Sequence, residues 1–298
     1  MAYEEIEKTR TIEFGNIITM LSQQTQSKLE SCVTVKSGIK GKSAVAADQI
    51  GKFLFTEAAT RLADTVLQDI SRDRRWYEPV MQRGCVPIDS LDMIKTQLDP
   101  KSQIVMAGMA GVNRAKDAAI ISAFYANNKT GESGNTEVAF NENNVIPSDY
   151  GGGDVIKQLN RAISLFGKND VDVESEVITC VVNSVMAEKL RSAGIYISND
   201  YMNNKVLSGK SLTPYGPINF VQYEAVPTGT EGSGDNEKTV YKLPIFCRSG
   251  VGLGKWEDVK VRIGELPNKN YAWHVFMEFA LGATRLEEAK CLSLQIAA

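Results

Sequence analysis

Histidine is almost missing from this sequence: of 298 residues, only His274 is one. That count excludes a histidine-rich metal centre, and any serine or cysteine triad would have to use this single ring. The cysteines Cys32, Cys85, Cys180, Cys247 and Cys291 are scattered, with no close pair of the zinc-binding type. Unpaired and dispersed, they suit a reducing compartment. No G-x-S-x-G nucleophile elbow occurs. Long apolar runs are lacking too: nothing approaches the ~18 residues of a membrane helix. The polar start, MAYEEIEKTR, has no signal-peptide core. These absences predict a soluble, cytoplasmically made protein with no metal, no cofactor and no catalytic residue. A net charge of −3 gives no general basic field for nucleic acid.

What is present is an ordinary globular composition, 43% hydrophobic and 23% charged, long enough for one elaborate domain or two compact ones. Phe14, Ile17, Ile18, Leu21 and Leu29 recur at helical spacing within residues 5–30, before Gly38 and Gly41 interrupt the chain. Residues 42–85 lack a firm helical period and favour strands. There Arg72, Arg74 and Arg75 stand beside Asp69, Asp73, Trp76 and Glu78. Such mixed charge could form ion pairs between subunits, or pair within a solvated hairpin.

Residues 99–127 carry the clearest helix, with Asp99 as N-cap, Pro100 at the first helical position, and Asn127, Asn128 and Gly131 as the stop. The small residues Ala107, Gly108, Ala110 and Gly111 would let another backbone come close. YGGG at 150–153 marks a boundary, after which Asp154 caps a helix that Gly167 ends. EVITCVVN (176–183) reads as a strand buried on both faces, with Cys180 an inert core residue. A helix ending at Gly194 follows, so residues 151–250 look like a small α/β unit. TGTEGSGDNEK (228–238) reads as a polar surface loop, and Val259, Val261, Ile263 and YAWHVFMEFALGATRL (271–286) return to strands.

The stretch SGVGLGKW (249–256) ends a run of glycines in lysine but fails as a phosphate loop. Three residues, not four, separate Gly250 from Gly254, and Trp256 stands where a hydroxyl should be. A strand with close backbone approach fits better. His274, between Trp273 and Val275, reads as a packed structural residue, and Glu287 and Glu288 are adjacent and would point apart.

Three stretches then carry a resemblance: ADTVLQDISRDRRWYEPV, LDPKSQIVMAGMAGVNRAKDAAIISAFYANNKTGESG, and SGVGLGKWEDVKVRIGELPNKNYAWHVFMEFALGATRLEE. Together, in this order, they resemble major capsid proteins of tailed, in particular short-tailed, bacteriophages. The resemblance implies an α+β, Hong Kong 97-like capsid fold. Its parts would be an N-terminal arm (1–38), an extended β-hairpin loop (39–84), a peripheral domain (85–150, spine helix 99–127), an inserted axial α/β domain (151–254), and a return to the peripheral domain (255–298). It implies a non-enzymatic subunit forming pentamers and hexamers of an icosahedral shell around double-stranded DNA, in a virion assembled in the host cytoplasm. Arg72, Arg74, Arg75, Trp76 and Glu78 on the extended loop become candidates for intersubunit contact. The implied partners are other copies, a portal protein, packaged DNA without sequence reading, and optionally a decoration protein. A separate scaffolding protein is expected because no long scaffolding segment precedes the arm. No membrane is implied. An encapsulin-type compartment, or an enzyme with an unrecognised site in the α/β unit, are the alternatives.

Overall fold

A computed structural model describes residues 23–55, 57, 67–88, 101–193, 212–231 and 237–297. In chain order the strands are β1 (Thr34–Lys36), β2 (Ala44–Ile50), β3 (Arg72–Tyr77), β4 (Val80–Ile88), β5 (Asn128–Thr130), β6 (Thr136–Val138), β7 (Val145–Ile146), β8 (Ile178–Val182), β9 (Ile218–Gln222), β10 (Thr228–Glu231), β11 (Lys238–Cys247), β12 (Val251–Leu266), β13 (Ala272–Arg285) and β14 (Cys291–Ala297). The helices are α1 (Lys101–Tyr125), α2 (Val155–Lys168) and α3 (Ser184–Ser192). The chain divides into a smaller unit (Met1–Gln26, Met81–Arg114, Val259–Phe279) and a larger one (Ser27–Val80, Ala115–Asp258, Ala280–Ala298).

The core of the larger unit is a mixed sheet in the order β7-β14-β11-β8-β9, with β10 added against β11. β14 is parallel to β7 and antiparallel to β11, and β8 is antiparallel to β11 and parallel to β9. Every residue of β8 is buried, because its apolar run must satisfy both faces. Cys180 lies in this strand, its thiol pushed well up by burial and so inert. α2 contributes Val155, Ile156, Leu159, Ala162 and Phe166 to the core, and α3 contributes Met186, Ala187 and Leu190.

Local chemistry sets the helix ends. Asp154 Oδ1 accepts from the amide of Ile156 at 2.9 Å, and Asn183 Oδ1 accepts from Met186 at 2.9 Å. Gly167 does not end α2. The chain turns out at Asp170, with φ 58°, while the Val171 amide returns to the Phe166 carbonyl at 3.0 Å. This is a Schellman closure in which aspartate, whose short polar side chain tolerates left-handed backbone, takes the slot usually held by glycine.

Two further sheets run β1-β12-β13-β4 and β2-β3-β5-β6. SGVGLGKW completes a 3-10 turn (Arg248–Gly250) and begins β12. Its glycines make room for a ring: a Cβ at Gly252 would lie 2.1 Å from the Tyr77 hydroxyl, and one at Gly254 3.1 Å from Tyr77 Cγ. Tyr77 thus packs directly on the β12 backbone, with Ile39, Leu286 and the edge of Trp256 around it. In the smaller unit, Ile88, Val275 and Met277 form a core with Ile104, Val105 and Trp273.

Other expectations need correction. Residues 23–29 are not helical, and Leu29 is buried beside a 3-10 turn at Glu30–Cys32; the rest of the expected N-terminal helix, with Phe14, Ile17, Ile18 and Leu21, lies outside the described residues. So do Asp99, Pro100 and Gly194. Within α1, the space over Gly108 is filled by the thioether of Met277, which a Cβ at that position would overlap, rather than by a backbone. Residues 228–238 are not simply a loop: Thr228–Glu231 pair in register with Lys238–Tyr241.

Candidate functional site

The five residues singled out as intersubunit candidates fall on one short strand and its exit. β3 pairs antiparallel with β2, with an irregularity between Val45 and Ala47, and its other edge meets β5. Strand alternation then divides them. Asp73, Arg75 and Tyr77 share one face; Arg72, Arg74 and Trp76 share the other.

The inward face is a buried polar layer. Arg75 is only 5% exposed, and its Nη1 lies 3.6 Å from Glu288 Oε1. Burial works to raise the Asp73 carboxyl. The Thr130 hydroxyl, the amides of Arg74 and Gly131, and the Arg75 charge outweigh it and hold Asp73 below its ordinary value. The outward face is engaged as well. Arg74 Nε donates to Asp48 Oδ1 at 2.6 Å across the strand pair and lies 5.8 Å from the Trp76 ring centre. Trp76 Nε1 donates to the Gly131 carbonyl at 2.7 Å. Glu78 pairs with Lys129. Of the five, Arg72 alone is exposed without an ion pair among the described residues. The charge on β3 is spent mainly on its own chain.

Beyond the paired strands the character changes. Gln49 donates to the Leu286 carbonyl and Lys52 pairs with Asp170, so the base of the hairpin is tied down. The next residues are bare: Phe53, Leu54 and Phe55 are 56%, 68% and 93% exposed, the two phenyl rings touching edge to face at 5.0 Å. Ile50 and Leu67 are exposed on either side. A run of large apolar side chains held in water is a mark of an interaction surface. Sequence reading placed KFLF in a stretch that favours strands, and its exposure emerges only from the structure.

A cleft of about 620 Å³ beneath the hairpin is lined by Asp48, Gln49, Asp73, Arg75, Glu287 and Glu288, among others. Among the described residues no three His, Cys, Asp or Glu side chains are grouped to hold a metal ion. The lining of the cleft carries four carboxylates, Asp48, Asp73, Glu287 and Glu288, against two cations, Lys52 and Arg75.

Two buried charges that sequence reasoning missed hold the frame. Asp117, fully buried in α1, accepts from Ser27 Oγ at 2.6 Å and from the amides of Lys28 and Leu29 at 3.0 and 3.1 Å. Arg285, fully buried at the end of β13, donates to the last carbonyls of α1 and to Glu288. Little in their spacing marks them, since apart from Glu288 the partners named here lie far off in the chain.

A family model described as phage capsid protein matches residues 6–297. The chain belongs to the phage capsid protein family. This capsid protein has a structural role, and its fold is that of known shells. It superposes on the capsid structure of the cyanophage P-SCSP1u with TM-score 0.74 at 15% identity, covering 98% of this chain and 94% of that one. For a structure from Mycobacterium phage Che8 the TM-score is 0.71 at 15% identity, covering 96% and 97%. For the cyanophage Pam1 capsid it is 0.73 at 9% identity, covering 98% and 97%. The α+β, Hong Kong 97-like architecture is therefore the fold of this capsid protein. Among curated proteins none matches it by sequence.

Proposed function

We propose that this capsid protein closes, as pentamers and hexamers, into an icosahedral shell around double-stranded DNA, and that the β2–β3 hairpin is its arm onto a neighbouring copy. The observation that carries the reading is the family match over residues 6–297. The exposed Phe53-Leu54-Phe55 run after β2 supports the role of the arm. In this reading residues 1–38 are an N-terminal arm, 39–84 the extended loop, 85–150 and 255–298 the peripheral domain, and 151–254 the axial domain. Arg72 and the apolar run make the contact, while Arg74, Arg75, Trp76 and Glu78 stiffen the arm that presents it. A separate scaffolding protein and a portal protein act in assembly in the host cytoplasm, a decoration protein is an optional addition, and the DNA is enclosed without sequence reading. Many modest contacts suffice, because closure multiplies them.

The test is expression of the chain, alone and with a candidate scaffolding protein, followed by negative-stain electron microscopy and light scattering. Shells, rings or tubes of five- and six-fold units are expected. Phe53→Ser with Phe55→Ser should leave the melting temperature of the unassembled chain unchanged and abolish shells. A chain that stays monomeric with scaffold and at high concentration overturns the reading.

A further inference from the structure

Helix α2 turns a face of a single charge to water. Its only charged residues are Lys157, Arg161 and Lys168. α1 and α3 mix acids with their bases, as Asp117 and Glu188 show, whereas α2 contains no acid. At 3.6 residues per turn, Lys157, Arg161, Ser164 and Lys168 fall within a sector of about 60°. The other side, with Ile156, Leu159, Ala162 and Phe166, is in the core. Among the described residues none of the three cations forms an ion pair. Lys157 Nζ reaches the Gly151 carbonyl, and the Arg161 guanidinium lies over the Tyr150 ring, 5.7 Å from its centre. The acid next in the chain, Asp154, is turned to the helix end, where it caps the Ile156 amide. In a chain of net charge −3, such a stripe runs against the average.

The approach to this face is open. Gly151, Gly152 and Gly153 take φ of 67°, 78° and 78°, a run of left-handed backbone that other residues avoid. A Cβ at Gly151 would touch Lys157, so this turn lies against the stripe, and one at Gly152 would meet nothing within 4 Å. Bare backbone and the exposed Tyr150 therefore flank the cations.

We infer that this face of α2 binds the phosphate backbone of duplex DNA. Its composition selects the occupant. Between the cations stand Asn160, Ser164 and Gly167, with no apolar centre. A protein partner would need such a centre, and a membrane surface would need apolar side chains to insert. Polar and positive is the character of a nucleic-acid interface. From Lys157 to Lys168 the stripe runs about 16 Å, the axial rise of about five phosphates on one strand. Asn160 Oδ1 accepts from the Tyr215 hydroxyl at 3.0 Å, which leaves its NH2 as a further donor. Contacts of this kind fix the backbone and read no bases. They are weak at physiological salt, with Kd of about 10⁻⁴–10⁻⁶ M, and let a duplex slide, as DNA must while it is being enclosed. That the duplex is the enclosed genome rests on the shell reading proposed above.

The experiment titrates labelled DNA duplexes of two unrelated sequences with the full-length, unassembled chain, by fluorescence anisotropy over a series of salt concentrations. The wild type should bind both duplexes equally. In Lys157→Gln/Arg161→Gln/Lys168→Gln the slope of log K against log salt should fall by about 2.7, roughly 0.9 for each lost phosphate contact. Affinity at low salt should drop about tenfold or more, with the melting temperature unchanged. Lys157→Gln/Lys168→Gln leaves Arg161 on Tyr150 and should lose about 1.8 of that slope, which keeps the test decisive if the triple variant is unstable. Lys40→Gln/Lys42→Gln/Lys238→Gln removes the same charge from exposed positions elsewhere and should bind as the wild type does. An equal loss in that control overturns the inference, because net charge alone would then govern binding. So does a wild type that ignores the duplex, or one that binds polyglutamate as tightly. A wild type that binds DNA through α2 yet never forms shells overturns the shell reading and leaves this surface standing.

Discussion

Arg285 caps the end of α1 at Phe124: its Nη1 donates to the Phe124 carbonyl at 2.5 Å and to that of Ala126 at 2.7 Å. The last carbonyls of a helix have no partners within it and carry its negative pole. A buried guanidinium supplies both the hydrogen bonds and the opposite charge. Nη2 reaches Val138, Nε is held by both oxygens of Glu288 at 2.9 Å, and the guanidinium carbon lies 5.4 Å from the Phe140 ring centre. Arg285→Ala would strand Glu288 and the helix-end carbonyls in the interior, a loss of about 3–5 kcal/mol. Arg285→Lys keeps the charge without the fork and should fall between. Chemical denaturation of the unassembled chain measures both.

Arg75 and Arg72 should behave oppositely although three residues apart. Arg75→Glu puts a carboxylate into a buried site already containing Asp73 and Glu288, at a cost of about 3–5 kcal/mol. Soluble folded protein should be lost, a folding failure rather than an assembly failure. Arg72→Glu should leave the melting temperature within about a degree, as exposed substitutions usually do, and show its effect only in shell yield.

Two glycines should part in the same way. A Cβ at Gly282 would sit 2.0 Å from the Glu78 carbonyl oxygen, backbone that has nowhere to go. Gly282→Ala should destabilise by about 3 kcal/mol or more. A Cβ at Gly111 in α1 meets nothing closer than Arg114 Nη2 at 3.7 Å. Gly111→Ala should stabilise by up to ~1 kcal/mol through helix propensity. Paired thermal melts decide both.

Acid should weaken the fold through named carboxylates. Burial tends to raise Glu30, but hydrogen bonds from Lys255 and Lys116 prevail, and its pKa lies below the ordinary 4.5. Burial is likewise outweighed at Glu176, by Ser249 and Lys290. A carboxyl depressed in the folded state contributes stability that is complete above its unfolded value and is lost as pH falls through the folded one. Melting temperature should hold from neutral pH down to about 5 and then drop. Glu30→Gln should start lower and drop less steeply.

The parts of this fold that sequence reveals are those governed by near neighbours. Asp154 announces α2 because its cap partner is two residues on, and EVITCVV announces β8 because its burial is continuous. Arg75 was open to discovery too. Period-two alternation puts it on the face of Tyr77, away from Arg72 and Arg74, but only once the residue that faces inward is known. Asp117 and Arg285 stayed hidden. Their partners are 88 and 161 residues away at Leu29 and Phe124, and a buried charge looks like a surface charge until its counterpart is placed beside it. The exposed Phe53-Leu54-Phe55 run is a third case: the strand reading of residues 42–85 says nothing about which of its apolar residues are left uncovered.

β14 is not at the rim of its sheet but between β7 and β11, where Leu292, Leu294 and Ile296 are buried. Until residues 291–297 emerge from the ribosome, β7 has no neighbour on that side and β11 keeps an open edge. At ~5–20 residues per second, synthesis of the stretch from β7 to β14 takes on the order of ten seconds or more. For that interval the larger unit is unfinished, and its β2–β3 hairpin has no settled base. The topology thus acts as a timer: the larger unit is completed only when residues 291–297 are free to pair with β7 and β11.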